Sequence, residues 1–215
     1  MLEKMSSFFE KRLDGYDEHM MNNIESAPEF YEFTAKQLPT DKTVHILDLG
    51  CGTGLELEAY FRHNPDAQIT GIDLSQGMLD ALKAKFPNKS VELICGSYFD
   101  VPFGDGYDAA VSVESLHHFT AEEKLPLYRK LYNSLTYGGY FILTDYFSLS
   151  GDDEREHFAE LAKLKAEQGI TDSEFYHYDT PLTVEHECEV LTNAGFTVEV
   201  LHSWGATYTI KAVKQ

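Results

Sequence analysis

The stretch Val44-His45-Ile46-Leu47-Asp48-Leu49-Gly50-Cys51-Gly52-Thr53-Gly54 decides the fold. A short apolar run ends in an acid and then breaks into glycines at every second position. Leu55, Leu57 and Ala59 to Phe61 follow with helical spacing. A buried strand that feeds a glycine turn and a helix N-terminus is how a parallel α/β sheet presents a nucleotide site. Glycine lacks a Cβ, so the turn can be tight and its backbone can approach a ligand closely. The dinucleotide fingerprint G-x-G-x-x-G has its third glycine one residue later than the Gly50, Gly52, Gly54 set. The shorter turn suits a ligand without a pyrophosphate.

A second signal lies in Gln68-Ile69-Thr70-Gly71-Ile72-Asp73-Leu74-Ser75, where another β-rich run ends in an acid nineteen residues after Gly54. A carboxylate at the end of the second strand is where α/β nucleotide sites hold the two ribose hydroxyls. Asp48 to Gly54 followed by Gly71 to Ser75 resembles the class I S-adenosylmethionine-dependent methyltransferases of the small-molecule type, and the likeness runs from about Val44 to the C-terminus. It implies S-adenosylmethionine as cofactor. It places Gly50, Gly52 and Gly54 along the methionine part, Asp48 near its ammonium, Asp73 on the ribose and Met78 against adenine. Cys51, Leu74, Gly96, Ser97, Tyr98 and Ser112 complete the implied cofactor set. The family often has an acid where Ser97 stands; a hydroxyl can accept the same hydrogen bond, more weakly.

From residue 44 onward strands are expected at 44–49, 68–73, 91–95, 107–113, 139–146, 196–203 and 206–214. Helices are expected at 53–63, 75–86, 121–136 and 183–194. The alternation predicts an α/β, Rossmann-like doubly wound seven-stranded sheet that ends in an antiparallel hairpin. The chain is read as one methyltransferase domain, 1–215, with two additions. Residues 1–40 form a helical lid, divided by Gly15 and Pro28; residues 147–182 form a cap insertion after the fifth strand, with a charged helix at about 151–168. The resemblance lets the lid close over the cofactor, with the aromatic residues Phe8, Phe9, Tyr16, Phe147, Phe175, Tyr176 and Tyr178 walling the acceptor. Its expected floor is Glu114, His118, Asp145 and Tyr146.

The fourth strand runs into Glu114-Ser115-Leu116-His117-His118. Histidine titrates near neutrality and can take a proton from an acceptor. Adjacent residues at a strand end point to opposite sides, so at most one of the pair is expected to face the substrate. His118, Glu114 and Tyr16 are the candidate catalytic residues, and a structural role for either histidine stays open. Glu114, His117, His157, His177, Asp179, Glu185 and His186 could supply metal ligands, but no firm ligand spacing is visible and no metal is expected.

The 36 acidic and 17 basic residues give a net charge of −19, a field that repels phosphate backbones and anionic membranes. Three widely spaced cysteines, Cys51, Cys95 and Cys188, form no disulfide framework or structural zinc motif, and Cys95 reads as a small core residue. No apolar run is long enough for a signal peptide or membrane span, so a cytoplasmic protein is expected. The partner is a small-molecule acceptor, with no nucleic acid and no membrane; monomer and homodimer are equally open. A non-catalytic S-adenosylmethionine-binding regulatory or partner subunit is the alternative function, and a nicotinamide-dependent dehydrogenase is disfavoured by the glycine spacing. We expect no binding to duplex DNA or RNA at physiological salt, because no basic stripe offsets the acidic field. A salt-dependent gel shift at micromolar protein would contradict this.

Overall fold

The computed structural model describes residues 1 to 215 except Lys42 and Ser173. Three helices come first, α1 (Met5–Lys11), α2 (Tyr16–Asn23) and α3 (Ala27–Gln37). Then follow β1 (His45–Leu49), α4 (Leu55–His63), β2 (Gln68–Asp73), α5 (Gln76–Lys85), β3 (Ser90–Cys95) and β4 (Tyr107–Val113). The second half holds α6 (Ala121–Ser134), β5 (Leu135–Tyr146), α7 (Gly151–Glu167), α8 (Val184–Asn193), β6 (Thr197–Trp204) and β7 (Thr207–Val213). The strands form one seven-stranded sheet of order β3-β2-β1-β4-β5-β7-β6. Pairing is parallel through β5, and β7 runs antiparallel between β5 and β6. This is the expected doubly wound sheet with a C-terminal antiparallel hairpin. The strand order reverses between β1 and β4, and such a switch point opens a crevice at the carboxyl ends of the strands.

Side-chain alternation explains the packing. Ile46 and Leu47 are neighbours in β1 yet join cores on opposite faces, as do Phe141 and Ile142 in β5. Phe30 of α3, Leu57 of α4 and Leu82 of α5 cover one face. Leu127 and Leu131 of α6 and Leu191 of α8 cover the other. A sheet buried on both sides needs apolar residues at successive positions, which is why β1 and β4 read as continuous apolar runs.

Some sequence expectations are corrected. Pro28 sits in the first turn of α3, where its missing N–H costs nothing, so it starts that helix and the break falls at Ser26. β5 begins at Leu135, earlier than expected, with a register shift opposite Tyr107/Ala109. Cys95 is exposed, because β3 is an edge strand.

Between α6 and α8 lies a buried ion pair. Lys124 Nζ is 2.5 Å from Glu187 Oε2, and Tyr128 Oη donates to Glu187 Oε1. Both charged side chains are almost fully enclosed, so removing one strands the other without water. We expect Lys124→Ala to lower unfolding stability by about 3–5 kcal/mol. Urea denaturation showing a loss below ~1 kcal/mol would mean that Glu187 finds another donor or water.

Candidate active site

The glycine turn after β1 is built on left-handed backbone. Gly50, Gly52 and Gly54 have φ of 75°, 46° and 77°, a region that side chains rarely adopt. A Cβ on Gly50 would collide with the Ser115 hydroxyl, whereas Gly52 faces open space. Gly50 N and Cys51 N both donate to the Ile72 carbonyl, at 2.8 and 3.2 Å, which ties the turn to β2. At the end of β2, Asp73 accepts from Gly52 N at 2.9 Å and from Ser75 N at 2.8 Å. Each carboxylate oxygen keeps a lone pair for a further donor.

Asp48 is buried on the α4 face of β1, and neither of its oxygens has a hydrogen-bond donor among the described residues. Glu56, on the first turn of α4, is buried as well and is its neighbour. Two carboxylates cannot donate to each other, so only a shared proton joins them. Burial, then the Glu56 charge, raises Asp48 well above the usual carboxylate range; burial raises Glu56 to about 7. A third unsatisfied acid is Glu114, whose Oε1 is buried without a partner. Burial and the nearby Asp145 push it up to about 8, and its backbone stands at φ 50°.

A narrow cleft of about 50 Å³ lies over the turn, lined by Gly50, Gly52, Asp73, Leu74, Met78 and Tyr98, with Met5, Phe9 and Tyr16 closing it from α1 and α2. The other residues of the expected cofactor set stand behind it. Cys51 Sγ packs towards Gly71, and Gly54 N-caps α4. Gly96 N donates to the Asp73 carbonyl, and Ser97 Oγ accepts from Phe99 N. Ser112 Oγ donates to the Leu49 carbonyl at 2.8 Å, joining β4 to β1.

Next to the cleft is a cavity of about 820 Å³, with Phe8, Arg12, Met20 and Trp204 among its walls. Phe9, Tyr16, Glu114 and His118 line both spaces. His117 and His118 both face the cavity, their ring centroids 4.0 Å apart, against the expectation of opposite directions. The reason is local: β4 ends at Val113 and the left-handed Glu114 turns the chain, so the pair is not on a strand. Asp145 is not part of the floor. It is buried behind His117, accepting from Leu116 N at 2.8 Å and Tyr146 N at 2.9 Å and pairing with His117 Nδ1 at 2.6 Å. The insertion lends His177 and Asp179 to the cavity rather than its aromatic rings. Phe147 and Phe175 pack into the core instead, on Tyr208 and on Phe99 with Phe119.

Charge organises this wall. Burial pulls His117 down, but Asp145, with Glu114 and Asp179, outweighs it and raises the ring to about 9. His118 is lowered by burial and by the His117 charge, and burial brings His177 down to about 4. Burial of Asp179 is outweighed by its histidine neighbours, so it stays well below the usual carboxylate range.

Two acids that the sequence reading left out bind the first helices to the cleft. Glu10 of α1 accepts from Ser75 Oγ at 2.7 Å and from Gly77 N at 3.3 Å, at the start of α5. Asp17 of α2 accepts from Thr53 Oγ1 and from Lys85 Nζ, the latter at 2.7 Å. The N-terminal segment also pairs with the insertion: Met5 N donates to Phe175 O at 3.0 Å and His177 N to Glu3 O at 2.9 Å.

A methyltransferase-domain family matches residues 46–139. A carboxy-S-adenosyl-L-methionine synthase from Helicobacter hepaticus is 29% identical over 181 residues, covering 79% of this chain and 75% of that one. A malonyl-[acyl-carrier protein] O-methyltransferase from Priestia megaterium is 30% identical over 106 residues, covering 49% of this chain but only 38% of its own length. In fold, the chain matches a crystal structure of a Nostoc punctiforme protein considered an O-methyltransferase, with a TM-score of 0.73 and 23% identity. That match covers 99% of this chain and 62% of the other. These matches support a class I S-adenosylmethionine-dependent methyltransferase family for the chain.

S-Adenosylmethionine is the cofactor of this methyltransferase, and the residues present fit it. The ligand carries a sulfonium and an ammonium, and the turn keeps buried acids without donors at Asp48 and Glu114. Changing Asp73→Ala is expected to weaken S-adenosylhomocysteine binding by about 1.5–3 kcal/mol, the range for hydrogen bonds to a charged group. Calorimetry reads this directly, and unchanged affinity in a folded variant would put the ribose elsewhere.

Proposed function

We propose that this methyltransferase moves the methyl group of S-adenosylmethionine to a small molecule held in the 820 Å³ cavity. The observation that carries the reading is the shared wall. Phe9, Tyr16, Glu114 and His118 line the cofactor cleft on one side and the cavity on the other. A transferred group must cross from one ligand to the other, and this is where the two spaces meet. A volume of that size takes a metabolite-scale ligand.

The cofactor supplies an electrophilic methyl on a positively charged sulfur. The glycine turn and Asp48 hold its methionine end, Asp73 its ribose, and Met78 and Leu74 flank the base. Glu114, kept protonated near neutral pH by its burial, would ionise beside the sulfonium, and the carboxylate so formed favours the bound cation. An acceptor whose polar group rests on the wall of His118 and Asp179 would present its lone pair in line with the methyl carbon, the carbon–sulfur bond breaking as the new bond forms and S-adenosylhomocysteine leaving with the sulfur's electron pair. Holding both reactants in register supplies the main acceleration, since a well-aligned pair reacts as if at very high effective concentration.

The first two helices act as a lid in this reading. The cleft beneath them has room for only about 50 Å³, so α1 and α2 part to admit the cofactor and close again over it. Glu10 and Asp17 are the latches, and the closed lid keeps water from the sulfonium.

Incubation with S-adenosylmethionine and a panel of small acceptors tests the proposal, with mass spectrometry following both cofactor and acceptor. Methylated acceptor and stoichiometric S-adenosylhomocysteine are expected. Tight cofactor binding without any turnover would overturn the reading in favour of a binding subunit, and a modified cofactor without a methylated acceptor would overturn it in favour of chemistry on the cofactor itself. Tyr16→Ala is expected to lower turnover by about tenfold or more, roughly 1.4 kcal/mol in the barrier. The melting temperature of the cofactor-free protein should stay nearly constant. Normal turnover would remove the lid from the active site, and early melting would return Tyr16 to a packing role.

A further inference from the structure

We propose that His117, His118 and Asp179 form a binding site for a first-row divalent transition-metal ion on the wall of the cavity. One donor atom from each residue lies within 4.8 Å of the others. Asp179 Oδ1 is 3.6 Å from His117 Nε2 and 3.3 Å from His118 Nδ1. Metal–ligand bonds of about 2.0–2.2 Å put adjacent donors roughly 2.9–3.5 Å apart. Both Asp179 separations are therefore close to ligand separations already. The Tyr178 carbonyl, 3.2 Å from His118 Nδ1, brings a further oxygen to the same nitrogen. Without an ion, a proton on Nδ1 serves these two oxygens.

The surroundings are those of a ligand set. A histidine ligand usually gives its second ring N–H to a carboxylate, which fixes the ring and its tautomer. His117 does this through Nδ1 to Asp145 Oδ1 at 2.6 Å, leaving Nε2 on the Asp179 side. Asp145 is itself held by two backbone N–H groups. The distant arm is pinned too: Thr180 N donates to the His117 carbonyl at 2.9 Å, which sets Asp179 against the histidines. An overlapping group of Glu114, His117 and Asp145 meets the same distance limit. Its Asp145 is already committed to His117 and the backbone, so Glu114 stands beside the ion as a single ionisable acid rather than as part of a complete second set.

Two imidazoles and a carboxylate select a borderline ion such as Zn²⁺, Fe²⁺ or Co²⁺ over Mg²⁺ or Ca²⁺, which prefer all-oxygen sets. Three protein donors leave coordination positions open, and the residues that provide them face the cavity. An acceptor oxygen or nitrogen can fill such a position, which would orient it beside the Glu114 and His118 wall. The ion-binding claim rests on these side chains and stands apart from the acceptor proposal.

Metal-free protein, without cofactor, is titrated with Co²⁺ and Zn²⁺ by absorption spectroscopy and calorimetry. One equivalent of Co²⁺ with visible ligand-field bands is expected, displaced by Zn²⁺, with no comparable binding of Mg²⁺. Asp179→Ala and His118→Ala should each weaken binding by about tenfold or more, the scale for losing part of a metal site. His186→Ala, whose ring pairs with Glu154 away from the cavity, should leave it unchanged. The Asp179 side chain is half exposed, so Asp179→Ala keeps the test decisive if the histidine variant fails to fold. Absence of saturable one-equivalent binding, or equal affinity in Asp179→Ala, overturns the proposal. S-Adenosylhomocysteine affinity of the same variants reports separately on the cofactor cleft.

Discussion

A carboxyl group buried without a donor is the constraint on which this structure turns. Asp48 lies under the glycine turn with both oxygens unsatisfied, and Glu56 beside it cannot help while both are ionised. Such burial costs stability unless a cation or a shared proton relieves it. Asp73 and Glu114 stand around the same cleft, so the turn gathers ionisable acids at one point. In the proposed binding mode a cationic cofactor would draw these acids into their ionised form, and the free protein bears the cost of burying them. The site would then be stabilised by its ligand more than by its own contacts.

The rest of the architecture brings this point into use. Parallel strands β1, β2 and β4 end together at the switch point and deliver Asp48, Asp73 and Glu114 to one edge. The segments before and after the core sheet then meet over that edge, joined by backbone hydrogen bonds between Glu3–Met5 and Phe175–His177. Because the N-terminal segment is tied both to the insertion and, through Glu10 and Asp17, to α5 and α4, movement over the cofactor cleft also alters the cavity wall.

Local rules made the sheet legible in advance. β1, β2 and β4 are short apolar runs, the glycine or acid at the end of each marks where it stops, and the hairpin at Trp204 and Gly205 announces the antiparallel close. The cleft around Gly50, Gly52 and Asp73 was legible for the same reason, since its residues are close in sequence. The cavity wall was not. Asp179 lies 61 residues beyond His118, and only the fold of the insertion brings it there. The direction of His117 depended on the left-handed turn at Glu114, a conformation its residue type does not advertise. Glu10 and Asp17 look like any solvated acid on a short helix, so nothing in the sequence separated them from surface charge. Phe147 and Phe175 of the insertion misled in the opposite sense, being needed for the core.

Asp48→Asn tests the central claim most directly, through the melting temperature of the cofactor-free protein and its affinity for S-adenosylmethionine. The amide keeps the shape, removes the ionisable carboxyl and can donate to Glu56. The account requires a variant that is more stable without cofactor and binds S-adenosylmethionine about tenfold or more weakly, the two changes having one cause. A variant that is less stable, or that binds the cofactor as tightly as the parent, would contradict it.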